Sequence, residues 1–120
     1  MKDSSRATIA YIAGRIISEH NSSSVYDFSR AQHVHFSGSV NSNRINVYNF
    51  EKGCHLSGNS NCFNYNIYNY GDGYHISLKI DGNNFKGYDY DTSSYFSGKV
   101  HNKSISLYDY EQSSYYNYAI

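Results

Sequence analysis

From residue 35 to residue 120 polar and apolar positions alternate along the chain. In YFSGKV, Phe96, Gly98 and Val100 share one face of an extended segment, and Tyr95, Ser97 and Lys99 share the other. In ISLYDY, Ile105 and Leu107 lie opposite Ser106, Tyr108 and Tyr110. A period of two over five or six residues predicts half-buried β-strands. The segments also repeat. His35, His55, His75, Tyr95 and Tyr115 recur at one constant spacing, and Phe36, Leu56, Ile76, Phe96 and Tyr116 recur at the same spacing. Tyr48, Tyr68, Tyr88 and Tyr108 form another column, followed by Asn49, Asn69, Asp89 and Asp109, then by Phe50, Tyr70, Tyr90 and Tyr110. The first copy, Tyr26-Asp27-Phe28, stands further from its successor, Tyr48-Asn49-Phe50, than this period allows. The difference points to two extra residues around the loop Ser29-Arg30-Ala31-Gln32. Self-similarity at a fixed period is the mark of a repeat architecture.

The links carry turn chemistry. Asp81-Gly82-Asn83 separates two apolar strand residues, a hairpin signal, and Asn, Ser and His occupy the same slot in other copies. The second kind of link starts at the Asp/Asn column and continues with Gly, Ser or Thr, where a short acid or amide can bond the turn backbone. Residues 25–120 are therefore expected to form five β-hairpin repeats of about 20 residues. These make an all-β antiparallel meander, closed as a barrel or folded into a two-layer sheet, because ten strands cannot remain open with an apolar face exposed. A parallel β-solenoid with an N-terminal capping helix is the alternative. It would stack Asp89 beside Asp109 and Lys79 beside Lys99 at about 4.8 Å, an unfavourable arrangement, whereas in the meander another strand separates them.

Residues 4–20 follow a different period. Ile9, Ile12, Ala13, Ile16 and Ile17 share one side of a helix and Thr8, Tyr11 and Arg15 the opposite side, an amphipathic pattern starting near Ser4 or Ser5. Docked on the sheet, the four isoleucines would contribute roughly 6–12 kcal/mol as an upper bound. A dimerising helix or a reversible membrane contact is the other use of such a face. Residues 21–24 read as a linker, and the 120 residues as a single domain.

Composition narrows the function. Ten basic and ten acidic residues balance, so neither nucleic acid nor a membrane is an expected partner. No signal peptide or transmembrane run is visible, which makes the cytoplasm the default compartment, with signal-less secretion left open. Fifteen tyrosines accompany 20 serines and 14 asparagines, with no proline or tryptophan.

Of the chemistry-bearing residues, His35, His55 and His75 would lie roughly 9.6 Å apart on next-nearest strands, too far to converge on a metal. Cys54 and Cys62 bound one strand at opposite ends and are expected to be free thiols. The Asp/Asn column interchanges acid and amide, which suits turn capping better than acid–base catalysis. No metal site, cofactor or catalytic residue is expected. In period and tyrosine content, residues 25–120 resemble the choline-binding repeats and the cell-wall-binding repeats of clostridial toxins, and LYDYE also resembles one hairpin of a β-propeller blade. Both are likenesses of architecture.

The tyrosine columns remain. Tyr68, Tyr70, Tyr88, Tyr90, Tyr108 and Tyr110 lie opposite the aliphatic face and are the candidate ligand-binding residues, for tyrosine offers rigid contact area beside adaptable Asn and Ser. The expected function is a non-enzymatic, tyrosine-rich binding module for a carbohydrate or protein partner. A structural protein that self-associates as a homo-oligomer is one alternative, and an enzyme with an unrecognised or interface-formed site is another.

Overall fold

A computed structural model describes residues 1–120. One helix, α1 (Asp3–Ser18), precedes ten strands: β1 (Ser24–Asp27), β2 (Gln32–Val40), β3 (Arg44–Asn49), β4 (Cys54–Asn61), β5 (Asn64–Asn69), β6 (Tyr74–Asp81), β7 (Asn84–Asp89), β8 (Ser94–His101), β9 (Ser104–Asp109) and β10 (Ser114–Ala119). Each strand pairs antiparallel with the next, and β1 pairs with β10 to close a barrel. The meander is thus the fold and the solenoid is not. Tyr88 faces Ser77 on β6 and Tyr95 on β8, while Tyr108 faces Ser97 on β8 and Tyr115 on β10, so β8 lies between the two tyrosines.

The two extra residues of the first repeat are in a strand and not in the loop. The turn between β1 and β2 occupies residues 28–31, the same length as the turns at 50–53, 70–73, 90–93 and 110–113. Gln32 faces Asp27 as Cys54 faces Asn49, yet it is Phe36 that faces the next asparagine, Asn49, as Leu56 faces Asn69. The insertion lies inside β2 because the turn geometry is shared by all five copies. Its length matters: an even insertion leaves every side chain on its own face, whereas one residue would have exchanged inside and outside.

The apolar face of every strand points inward, aliphatic in most and aromatic in β7 and β10. Val25, Val34, Val47, Ile67, Ile76, Leu78, Ile105 and Leu107 are buried in one continuous core. The helix completes that core from inside the barrel. Every residue from Ser5 to Gly14 is buried, including Thr8 and Tyr11, so α1 is covered on all sides rather than docked by one amphipathic face. Eight strands enclose about enough space for their own side chains, and a ten-stranded barrel encloses more. The helix fills the surplus. Ala7, Ala10, Ala13 and Gly14 fall within about 120° of one another at 100° per residue, and a Cβ on Gly14 would stand 2.7 Å from Ile105 Cδ1. On another side, Tyr11 stacks on Phe36 with ring centroids 4.2 Å apart. At the C-terminal end, the Tyr11 hydroxyl and Arg15 both donate to the Ser22 carbonyl, at 2.7 Å each.

The barrel has two unlike ends. At one, Asp27, Asn49, Asn69, Asp89 and Asp109 begin the aromatic turns, and all are buried. In each, Oδ1 accepts from the backbone N–H two residues on: Ser29, Glu51, Gly71, Asp91 and Glu111, at 2.9–3.0 Å. Turn capping is therefore the role of this column. At the other end the hairpins turn tightly through residues 41–43, 62–63, 82–83 and 102–103.

Candidate functional site

The repeat builds its surface from one aromatic unit used five times. A tyrosine near the end of each odd strand through β9 points outward beside the ring two residues later and a ring on the next strand. The units are Tyr26 with Phe28 and His33, Tyr48 with Phe50 and His55, Tyr68 with Tyr70 and His75, Tyr88 with Tyr90 and Tyr95, and Tyr108 with Tyr110 and Tyr115. All contacts are edge-to-face, with centroids 4.7–5.1 Å apart and interplanar angles of 65–79°. Such a pair is worth about 0.5–1.5 kcal/mol beyond its buried area. The longer β2 changes the first unit: His33 takes the position that the repeat spacing assigned to His35, and His35 faces Ser24 instead.

All six tyrosines expected at a site lie on the outer wall, but in two settings. Tyr68, Tyr88 and Tyr108 are the central, half-buried rings, each held by two neighbours, while Tyr70, Tyr90 and Tyr110 are the exposed first residues of the turns. Tyr88 and Tyr110 join Tyr95 around a recess of about 570 Å³ over β6–β8, whose polar lining includes Asn64, Ser77, Ser97, Lys79 and Lys86. An adjoining recess of about 540 Å³ shares Lys79, Lys86 and Ser97 and adds Lys99, Asp81, Tyr108 and Tyr115. Tyr70 lines a separate, shallower depression with Asn46, His55 and Ser57. Tyr68 and Tyr90 line none of these three. The groove thus draws on two of the aromatic units, including their rings Tyr95 and Tyr115, and on three lysines; none of these five was among the residues expected from the sequence. A signal for the lysines was present: Lys79 and Lys99 occupy the same position in successive repeats, on the strand face carrying Ser77, Ser97 and Tyr95.

The carboxylates are engaged elsewhere. Arg6 reaches Asp109 Oδ2 at 3.0 Å, and Arg30 joins Asp27 at 2.7 Å to Glu51 at 2.8 Å. Lys2 bridges Asp72 and Asp91, both at 3.0 Å, and Lys52 adds to Asp72 at 3.2 Å. Burial works to raise the Asp27 carboxyl, but hydrogen bonds from Arg30 and Ser29 prevail and hold it below the usual range. Asp72 follows the same logic, with Lys2 and Lys52 overcoming its burial. The two carboxylates lift Lys2 to about 12. Asp89 has no cationic side chain beside it, and burial pushes it up, with repulsion from Asp91 adding to the effect. Asp27, Asp89 and Asp109 are at most 1% exposed, which closes them to any substrate.

Cys54 and Cys62 are both free, and burial raises the Cys54 thiol. No group of three or more His, Cys, Asp or Glu side chains is arranged to hold a metal ion. No helix is long and apolar enough to cross a membrane. The closed barrel has no free sheet edge, and the isoleucine side of α1 is covered as far as Ile12, so any association between copies would use the outer wall or the barrel ends.

A scan against protein-family models finds no match, and neither does a search of curated proteins or of solved structures. The fold is a closed ten-stranded antiparallel barrel with a helix in its lumen.

Proposed function

We propose that this protein is a non-enzymatic carbohydrate-binding module whose ligand lies along the outer groove of β6–β9. The observation that carries this reading is the recess of about 570 Å³ walled by Tyr88, Tyr95 and Tyr110. Its volume is that of a small-ligand site. A sugar ring presents an apolar C–H face and a rim of hydroxyls. Tyrosine supplies a rigid apolar surface, while Ser77, Ser97 and Asn64 supply donors and acceptors at the rim. A protein partner would more often meet a broad surface, about 800 Å² on each side, than a narrow furrow.

The rest of the wall supports an aqueous setting for the groove. Between the aromatic units the outward rows carry Asn46, Ser57, Asn59, Asn66, Ser77, Lys79, Lys86 and Ser106, and the inward rows are predominantly apolar. A barrel in lipid has the opposite arrangement, with an apolar band outside.

Screening on a glycan array, followed by calorimetry with the captured sugar, tests the proposal. Tyr95→Ala and Tyr110→Ala should each weaken binding while the barrel still melts cooperatively. Capture of no glycan, or unchanged affinity in both variants, would overturn it. Self-association is the second reading, favoured by Phe28 and Phe50, each 59% exposed. Sedimentation velocity of the wild type and of a Phe28→Ser/Phe50→Ser variant separates the two, since only self-association predicts a change of sedimentation coefficient.

A further inference from the structure

We propose that the saccharide bound in this groove is anionic, bearing carboxylate or sulfate groups; the inference rests on the carbohydrate reading of the same groove. Lys79, Lys86 and Lys99 lie on three adjacent strands and all line the adjoining recess. Lys79 and Lys86 stand directly opposite each other across β6 and β7. Like charges in that position repel. None of the three makes an ion pair; the paired basic side chains are Lys2, Lys52, Arg6 and Arg30, all outside this groove. Asp81 is the one acid in the lining, so three lysines less one aspartate leave an excess of two positive charges. The whole chain has a formal net charge of zero, which makes this excess a local property of the groove.

A bound carboxylate or sulfate would remove the repulsion between Lys79 and Lys86. Lysine suits that role: its ammonium is a compact point charge on a flexible stem, able to follow charged groups at varied positions on a sugar. Tyr95 and Tyr110 lie beside the lysines, so the apolar face of the sugar and its charged substituent can be met together. Single-stranded nucleic acid also combines charge with stacking, but it needs a positive groove that tracks a backbone over several nucleotides, and the positive lining here is confined to Lys79, Lys86 and Lys99.

The test is calorimetry with four probes: a galacturonic acid tetrasaccharide, a chondroitin sulfate tetrasaccharide, a neutral galactose tetrasaccharide and an oligothymidylate of eight nucleotides. Each is titrated into the wild type, Lys79→Gln/Lys86→Gln and Tyr95→Ala/Tyr110→Ala. At least one anionic tetrasaccharide should bind about tenfold more tightly than the neutral one. The lysine variant should lose about tenfold for that sugar and show a shallower salt dependence. Its melting temperature should hold or rise, because a repulsion has been removed. If the neutral sugar binds equally well and the lysine variant is unaffected, the anionic inference falls while the carbohydrate reading stands. If oligothymidylate binds as tightly as either charged sugar, both fall; if no probe binds, the anionic inference falls and the glycan array decides the carbohydrate reading.

Discussion

Leu78 and Gly87 face each other across β6 and β7, and they are the reverse of every equivalent pair. In the other hairpins the glycine is on the even strand and the aliphatic on the odd one: Gly38 with Val47, Gly58 with Ile67 and Gly98 with Leu107. Each pair thus holds one glycine and one large side chain. A Cβ on Gly58 would lie 2.3 Å from the Asn66 carbonyl oxygen, and one on Gly87 would lie 1.8 Å from that of Ser77. In all four pairs the partner strand's backbone comes this close to the glycine, which leaves no room there for a side chain.

The exchange should be measurable as coupling. Gly87→Leu alone forces a clash, and Leu78→Gly alone opens the core, each costing roughly 2–5 kcal/mol. The double variant restores the order of the other repeats and should cost at least 1 kcal/mol less than the sum, roughly. Urea denaturation of the four proteins checks this; simple additivity would mean that the pairing has no energetic meaning.

Asp89 should be a source of pH dependence. Its folded pKa lies above its ordinary value, so its contribution to stability is present below that ordinary value and disappears as pH rises through the folded one. Asp27 and Asp72 have the opposite sign. Their stabilisation is present above the usual carboxylate range and is lost as pH falls through their lowered values. Asp89→Asn, which installs the residue found at 49 and 69, should therefore raise the melting temperature at pH 7 and have a smaller effect near pH 3. A larger gain at pH 3 than at pH 7 would contradict the assignment.

The turn at Cys62-Phe63 is strained. Both residues have positive φ, 53° and 62°, in a two-residue loop between the paired Asn61 and Asn64. Such loops favour Asn-Gly. Cys62→Asn/Phe63→Gly should stabilise the fold by about 1 kcal/mol, after allowance for the apolar surface of Phe63, which lines a recess with Ile16, Ile17 and Ile80. Thermal melts decide the matter, and a net loss would show that the apolar surface of Phe63 outweighs the strain.

Inside the barrel, polarity should matter more than volume. Ile12 is fully buried, and Ile12→Asp should destabilise by roughly 3–5 kcal/mol. Tyr118 is buried with a hydroxyl that has no hydrogen-bond partner. Tyr118→Phe should therefore leave stability within about 1 kcal/mol of the wild type, or raise it. Denaturant midpoints for the two variants test the contrast.

Within an aromatic unit, the central and outer rings should behave differently. Tyr88 contacts two rings and Tyr95 only one of these, so Tyr88→Ser should lower stability by about 1–3 kcal/mol and Tyr95→Ser by less. Melting curves for the two variants check this ranking, and equal losses would mean that the edge-to-face contacts contribute little.

Much of this could be read along the chain. Two-residue alternation is local, so the strands, their faces and the outward tyrosines followed from neighbours a few positions apart. The turn role of Asp27, Asn49, Asn69, Asp89 and Asp109 was equally local, since each bonds an amide two residues on. The tertiary structure alone decided four things. It closed β1 on β10, an outcome that depends on register accumulated over ten strands. It put the two extra residues inside β2, where spacing could locate only a gap between two turns. It also covered α1 on every side. The polar-looking Thr8 and Tyr11 suggested a wet face, but Thr8 accepts a hydrogen bond from Asn49 at 3.0 Å and Tyr11 stacks on Phe36, partners on β3 and β2 that are remote in sequence. A period read along one helix cannot show what surrounds it, because burial belongs to the enclosing wall. The lysines of the groove were visible singly in the sequence, but only the pairing of β6 with β7 sets Lys79 directly against Lys86.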